Sequence, residues 1–208
     1  PKYLSVVDRR YLRMLVASVA GQVVTNVTTL KDGSELLWNH PQVRAELLLI
    51  LDVLRERIDH VPIQLTGQHD VPLAVHARYT RIEILAAFGV GDADCANVAP
   101  WQTGVYWAKE AKADLFAFTL DKSSGSFSPT TRYRDYAVSR EVIHWESQSV
   151  TRADSETGIR YQRHVEMGTS VMLFARLRTS DRAFYFLGPA IYMKHEGELP
   201  MAVTWKLD

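Results

Sequence analysis

Near residue 100 the chain changes texture. Before that point apolar side chains recur at three- and four-residue intervals over residues 8–20 and 43–58, and after it come short runs rich in Val, Tyr, Phe, Trp and Thr, broken by Gly, Ser, Asp and Pro. The first pattern gives a helix one apolar stripe, and the second fits half-buried or fully buried strands. Helices first and strands afterwards, without alternation, predict an α+β architecture rather than a βαβ fold. We expect an N-terminal helical region over 1–70 and a curled antiparallel sheet or barrel over 71–208, with the change of composition falling within 70–100.

The helical half carries its own punctuation. Asn39 is a candidate cap and Pro41 suits the first helical turn. The stretch from Val43 to Arg57 is apolar around much of its circumference, which predicts burial against other helices or a partner domain. Thr80-Arg-Ile-Glu83 has the spacing of a capping box, and Gly89 stands where that third helix should stop.

Seven segments read as strands: 104–108, 115–120, 143–146, 170–176, 183–187, 190–193 and 202–206. Val171 to Ala175, Phe184, Phe186 and Trp205 are the core residues this predicts. Residues 121–126 and 151–158 read as polar loops, and no internal repeat is present.

With 208 residues, 47% of them apolar, the chain can bury a core without staples. Its one cysteine, Cys95, excludes a disulfide framework and a thiolate zinc site. No apolar run reaches the roughly 20 residues that span a bilayer, and no signal peptide heads the sequence. A soluble, cytoplasmic protein without membrane contact is expected. The chain opens on Pro1, which points to a piece of a longer polypeptide. The P-loop, the dinucleotide fingerprint, the helical zinc-protease motif and the Gly-x-Ser-x-Gly elbow are all missing, so a stand-alone enzyme is the weaker class.

Formal charge is zero, so a basic footprint for nucleic acid must be local. Three arginine pairs each adjoin a tyrosine: Arg78 with Arg81, Arg132 with Arg134, and Arg160 with Arg163. Together with Tyr79 they are candidates for phosphate contacts, although arginine beside tyrosine is also ordinary protein surface. The densest chemistry lies in residues 128–149, where aromatic rings, a carboxylate, an imidazole, an amide and hydroxyls share twenty-two positions. Such a set suits a pocket for a flat, polar ligand such as a nucleobase.

Five motifs, in order, support a resemblance: Val75-His-Ala-Arg-Tyr-Thr-Arg-Ile-Glu-Ile-Leu85, Trp101-Gln-Thr-Gly-Val-Tyr106, Thr130-Thr-Arg-Tyr-Arg-Asp-Tyr136, His144-Trp-Glu-Ser-Gln148 and Phe186-Leu-Gly-Pro-Ala-Ile-Tyr192. Over residues 70–208 the sequence resembles a domain of unknown function at the C-terminal end of bacterial DEAD/DEAH-type helicases. The SauUSI type of modification-dependent (type IV) restriction enzyme is one setting of that domain. The resemblance implies an SRA-like, PUA-related barrel that reads 5-methylcytosine in double-stranded DNA. It also implies helicase and nuclease domains elsewhere in the parent chain, with ATP and Mg needed there and no cofactor in this fragment.

A reader of a base extruded from the duplex needs rings for stacking and an acceptor for the cytosine amino group, which an ionised carboxylate supplies and which thymine's carbonyl repels. Tyr133, Tyr136 and Trp145 are the candidate rings, with Trp101 from the earlier motif, and Asp135 is the candidate acceptor. In an extended chain Tyr133 and Asp135 share a face and Tyr136 takes the other. The same parity places His144, Glu146 and Gln148 together, opposite Trp145 and Ser147. Gln148 or His144 then donates to the base edge or to a phosphate. Asp135 and Glu146 also offer one carboxylate pair in principle for acid–base work, though nothing in the sequence joins them. Each named ring serves equally well as barrel core, and Asp135 as a loop scaffold. The alternative function is a structural coupling module that docks on the motor through helix 43–58 and binds DNA weakly or not at all.

Overall fold

The computed structural model describes residues 4–19, 30–56, 65, 70–91, 101–121 and 135–208. They divide into two compact units, one of Pro1–Ala74 with Ile82–Pro100 and the other of Val75–Arg81 with Trp101–Asp208.

In the first unit lie α1 (Val6–Val19), α2 (Leu30–Trp38) and α3 (Pro41–Glu56). A reciprocal cap starts α1: the Ser5 hydroxyl accepts the Asp8 amide at 3.1 Å, and the Asp8 carboxylate accepts the Ser5 amide at 3.1 Å. The predicted helices at 8–20 and 43–58 are α1 and α3. Helix α2 was not expected, because nine residues containing Gly33 give too short and weak a period. Arg44 ties the two later helices, its guanidinium 4.5 Å over the Trp38 ring and donating to the Trp38 carbonyl. Of the two destinations expected for residues 43–57, burial against other helices is not met over the part described: α3 has no buried residue, and Leu48 and Leu49 are 63% and 66% exposed.

Helix α4 (Arg81–Ala87) begins directly after Thr80, as the capping-box reading requires. Its end is a Schellman turn. The Val90 amide reaches the Leu85 carbonyl at 3.0 Å and the Gly89 amide the Ala86 carbonyl at 3.1 Å, with Gly89 at φ 75°, a conformation only glycine takes without strain.

The second unit is built on an eight-stranded sheet of order β2-β3-β6-β7-β8-β5-β4, with β1 on the free edge of β7. The strands are β1 (Arg78–Thr80), β2 (Val105–Ala108), β3 (Ala113–Asp121), β4 (Tyr136–Ala137), β5 (Val142–Glu146), β6 (Ser170–Arg178), β7 (Ala183–Glu196) and β8 (Ala202–Leu207). The α+β order holds. The pairing is not antiparallel throughout, however, because β3 and β6 run parallel. Between them the chain makes β4, β5 and a helix, the long crossover that parallel pairing needs. The segments 183–187 and 190–193 are one strand, β7, which Gly188 carries through at φ 110°. On one side β7 pairs first with β1 and then with β8.

Helix α5 (Glu156–Gln162) lies in the segment read as loop. Ser155 caps it by accepting the Gly158 amide at 3.1 Å, and Gly158 inside a seven-residue helix hides the period from the sequence. From α5, Tyr161 enters a core in which Phe116 stacks on Trp145 at 4.2 Å and meets Trp205 edge-on at 5.5 Å. Residues 113–119 of β3 are all buried, as in a strand covered on both faces. The predicted core residues 171–175, Phe184, Phe186 and Trp205 are all buried. Among the described residues no helix is long and apolar enough to cross a membrane.

Candidate functional site

A cavity of about 570 Å³ opens in the sheet unit. That volume falls in the ~300–1,000 Å³ range of small-molecule sites. Asp135, Trp145, Glu146 and Gln148 form one part of the lining, residues 102–105 and 117–119 another, and Arg81 and Arg176 a third.

Period-two alternation along β5 aims this chemistry. Ile143, Trp145 and Ser147 are buried while His144, Glu146 and Gln148 are half-exposed, which is the parity expected. Ser147 anchors the end of the strand through the start of β8: its amide donates to the Met201 carbonyl and its hydroxyl accepts the Met201 amide, both at 2.9 Å. Gln148, the next residue, is thereby held at the cavity. Asp135 stands just before β4, 7% exposed, and its Oδ1 accepts the Glu146 amide at 3.1 Å. The two carboxylate residues that no spacing rule connects thus line one cavity.

The same cavity is lined by two guanidinium groups. Arg81 Nη1 donates to the carbonyls of Trp101 and Gln102 at 3.2 and 3.3 Å, and its planar group lies over the rings of Trp101 and Phe184. Arg176 Nε donates to the Thr119 hydroxyl at 2.9 Å and Nη1 to the Asp181 carbonyl at 2.7 Å. Burial, followed by the charge of Arg176, pulls the Arg81 pKa below its usual value. Burial also lowers that of Arg176, with Asp181 opposing. Both remain cations at any physiological pH.

The remaining candidates disperse. Tyr136 is half-exposed and stacks on His144, centroids 4.6 Å apart, and neither ring is in the cavity lining. Trp145 belongs to the core and the cavity wall at once. Trp101 is buried beneath Arg81, 5.9 Å from Tyr106, and supports the site without lining it. Arg78 is exposed and covers the Tyr185 ring, while Tyr79 pairs with Phe184 in the sheet. Exposed Arg163 bonds Glu166 at 2.7 Å.

Arg160 is drawn towards the core: it is 7% exposed, makes a bidentate pair through Nε and Nη2 with fully buried Asp114 at 2.7 and 3.0 Å, and lies 4.2 Å from the Trp107 ring, so these two donors serve a buried carboxylate. Tyr133, Arg132 and Arg134 lie outside the described residues.

Arg176 was not among the residues singled out from the sequence, and nothing there joined Glu146 to Asp135. A signal for Arg176 existed: a charged residue closing the apolar run 171–175 needs a polar destination. Among the described residues, no three His, Cys, Asp or Glu side chains converge as a metal site would require.

Comparison with curated proteins returns no match. Among solved structures, the crystal structure of Arabidopsis thaliana SUVH6 in complex with SAM aligns at 14% identity and TM-score 0.42, covering 72% of this chain and 28% of that one. The chain thus spans little more than a quarter of that protein's length. The family model described as "Domain of unknown function (DUF3427)" matches residues 73–208, which holds the whole sheet from β1 onward and the cavity within it, and the chain belongs to that family.

Proposed function

We propose that residues 71–208 form a DNA-binding reader of modified cytosine, 5-methylcytosine foremost, which takes the base out of the duplex into the cavity beside Asp135. One observation carries the reading: Asp135, Trp145 and Gln148 line a single cavity that also presents two arginines. Extruding a base costs a few kcal/mol of stacking and pairing. A ring wall and a fixed acceptor for the N4 amino group offset that cost, and the carboxylate penalises thymine. The Glu146 amide bond orients Asp135 before any ligand arrives, and Gln148 supplies both a donor and an acceptor for the rest of the base edge. On this reading the fragment is non-catalytic. It directs an ATP-dependent helicase–nuclease, whose motor and nuclease lie in the same parent chain and carry the need for ATP and Mg, to modified DNA in the bacterial cytoplasm. Gel-shift titration of the chain against matched methylated and unmethylated duplexes tests it. Tighter binding of the methylated duplex is expected, and equal affinities at moderate salt would overturn the reading.

A second reading has its own observation. The exposed leucines of α3 suit a module that couples mechanically to a motor domain. Deleting residues 41–56 then lowers the ATPase rate of the parent without changing its preference for methylated DNA. A lost preference with an intact ATPase counts against this role.

A further inference from the structure

Arg81 and Arg176 approach the same ring, their guanidinium carbons 5.3 and 4.9 Å from the Phe184 centroid, and both line the cavity. Their hydrogen bonds go only to uncharged acceptors: the carbonyls of Trp101, Gln102 and Asp181, and the Thr119 hydroxyl. Neither makes an ion pair within 4.0 Å of a carboxylate among the described residues, whereas Arg160 and Arg163 each do. The Asp181 carboxylate, whose charge acts on Arg176, instead accepts the Arg178 amide at 3.0 Å. Arg81 Nε is buried and has no hydrogen-bond partner among the described residues. Both guanidinium groups are partly desolvated, and the like charge of Arg176 acts unfavourably on Arg81. An anion bound by both in the cavity they line offsets that repulsion and takes the donors left over from two five-donor forks.

We propose that Arg81 and Arg176 form a clamp for one phosphate of the nucleotide whose base enters beside Asp135, so that the cavity recognises a nucleotide and not a free base or nucleoside. The inference rests on the base-reading function proposed above and adds its polarity. Carboxylates at one part of the lining take the amino edge, and guanidinium groups at another take the phosphate. The backbone of the extruded unit is gripped inside the cavity, beyond whatever contacts the duplex makes outside. Thr119 and the Asp181 carbonyl hold Arg176 in place, and the carbonyls of Trp101 and Gln102 hold Arg81, so the clamp exists before the ligand arrives.

Calorimetric titration of the full chain in phosphate-free, sulfate-free buffer separates the parts. The probes are 5-methyl-2′-deoxycytidine, its 5′- and 3′-monophosphates, and inorganic phosphate. The clamp predicts that one monophosphate binds at least about tenfold tighter than the nucleoside, since a hydrogen bond to a charged group contributes about 1.5–3 kcal/mol. Arg176→Gln should erase that gain, with Arg81→Gln as the independent second variant and circular dichroism confirming that each folds. If nucleoside and both monophosphates bind equally, the clamp is wrong while the base-reading stands. If inorganic phosphate binds in an Arg176-dependent way and the base adds nothing, a clamp for a nucleotide is wrong and the base-reading fails with it. A phosphate gain that survives both substitutions also overturns the assignment.

Discussion

Asp135 Oδ1 accepts the backbone amide of Glu146 across 3.1 Å, joining the residue that enters β4 to the last residue of β5. This bond makes the carboxylate part of the sheet frame and part of the cavity lining together. Replacing Asp135 by Ala removes the acceptor and leaves the part-buried Glu146 amide short of it. A loss of about 1–3 kcal/mol in unfolding free energy is expected. Asp135→Asn retains an oxygen for that amide, so it should remain within about 1 kcal/mol of wild type. Urea denaturation followed by tryptophan fluorescence distinguishes the two.

The buried pair of Asp114 and Arg160 makes a second prediction. Both side chains are at most 9% exposed, and the bidentate contact satisfies the charges in place of water. Asp114→Ala strands a buried guanidinium and should cost about 3–5 kcal/mol. Asp114→Leu combined with Arg160→Met should recover most of that loss, because removing both charges removes the desolvation penalty. A double-mutant cycle by chemical denaturation checks the non-additivity.

Gly158 faces backbone. A Cβ built there would stand 2.1 Å from the Arg152 carbonyl oxygen and 2.9 Å from that of Ala153. Since backbone cannot swing aside as a side-chain tip can, Gly158→Ala should destabilise by about 1–3 kcal/mol despite alanine's better helix propensity. Thermal melting shows the sign directly, and a stabilised variant would contradict the packing described.

The cap of α1 predicts a pH dependence. Hydrogen bonds from the Ser5 side chain and then its backbone amide hold the Asp8 carboxyl below its usual 3.8. A group with a lowered folded-state pKa adds stability that is complete above its ordinary value and is lost as pH falls through the lowered one. The protection of the first-turn amides of α1, measured against their intrinsic exchange rates at each pH, should therefore fall below about pH 4, and Ser5→Ala should weaken that pH dependence while the retained backbone amide keeps part of it.

Much of the fold was legible, because period and punctuation are local. The capping-box spacing at Thr80, the stop at Gly89 and the alternation through Trp145 and Ser147 each depend on neighbours within five positions. What escaped depends on partners far along the chain. The parallel pairing of β3 with β6 and the pairing of Asp114 with Arg160, 46 positions apart, leave no local trace. The site was half legible for the same reason. Asp135 and Gln148 declared their chemistry within one segment, whereas Arg176 joins them only through the sheet order. The pairing of Arg160 with Asp114 was not legible because an arginine beside a tyrosine reads alike on a surface and above a buried carboxylate.

The central claim is that Asp135 is the reading edge for a modified cytosine. Asp135→Asn tests it most directly, since it keeps the oxygen that serves Glu146 and replaces the other acceptor with a donor that clashes with the N4 amino group. Fluorescence-anisotropy titrations at fixed salt should compare wild type and variant on duplexes that differ only in one 5-methylcytosine. The account predicts that wild type prefers the methylated duplex by about fourfold or more, since burying one additional methyl group contributes ~0.8 kcal/mol. In the variant the preference should disappear while weak binding of unmodified DNA persists. A variant that folds and keeps the full preference, or a wild type with none, would contradict it.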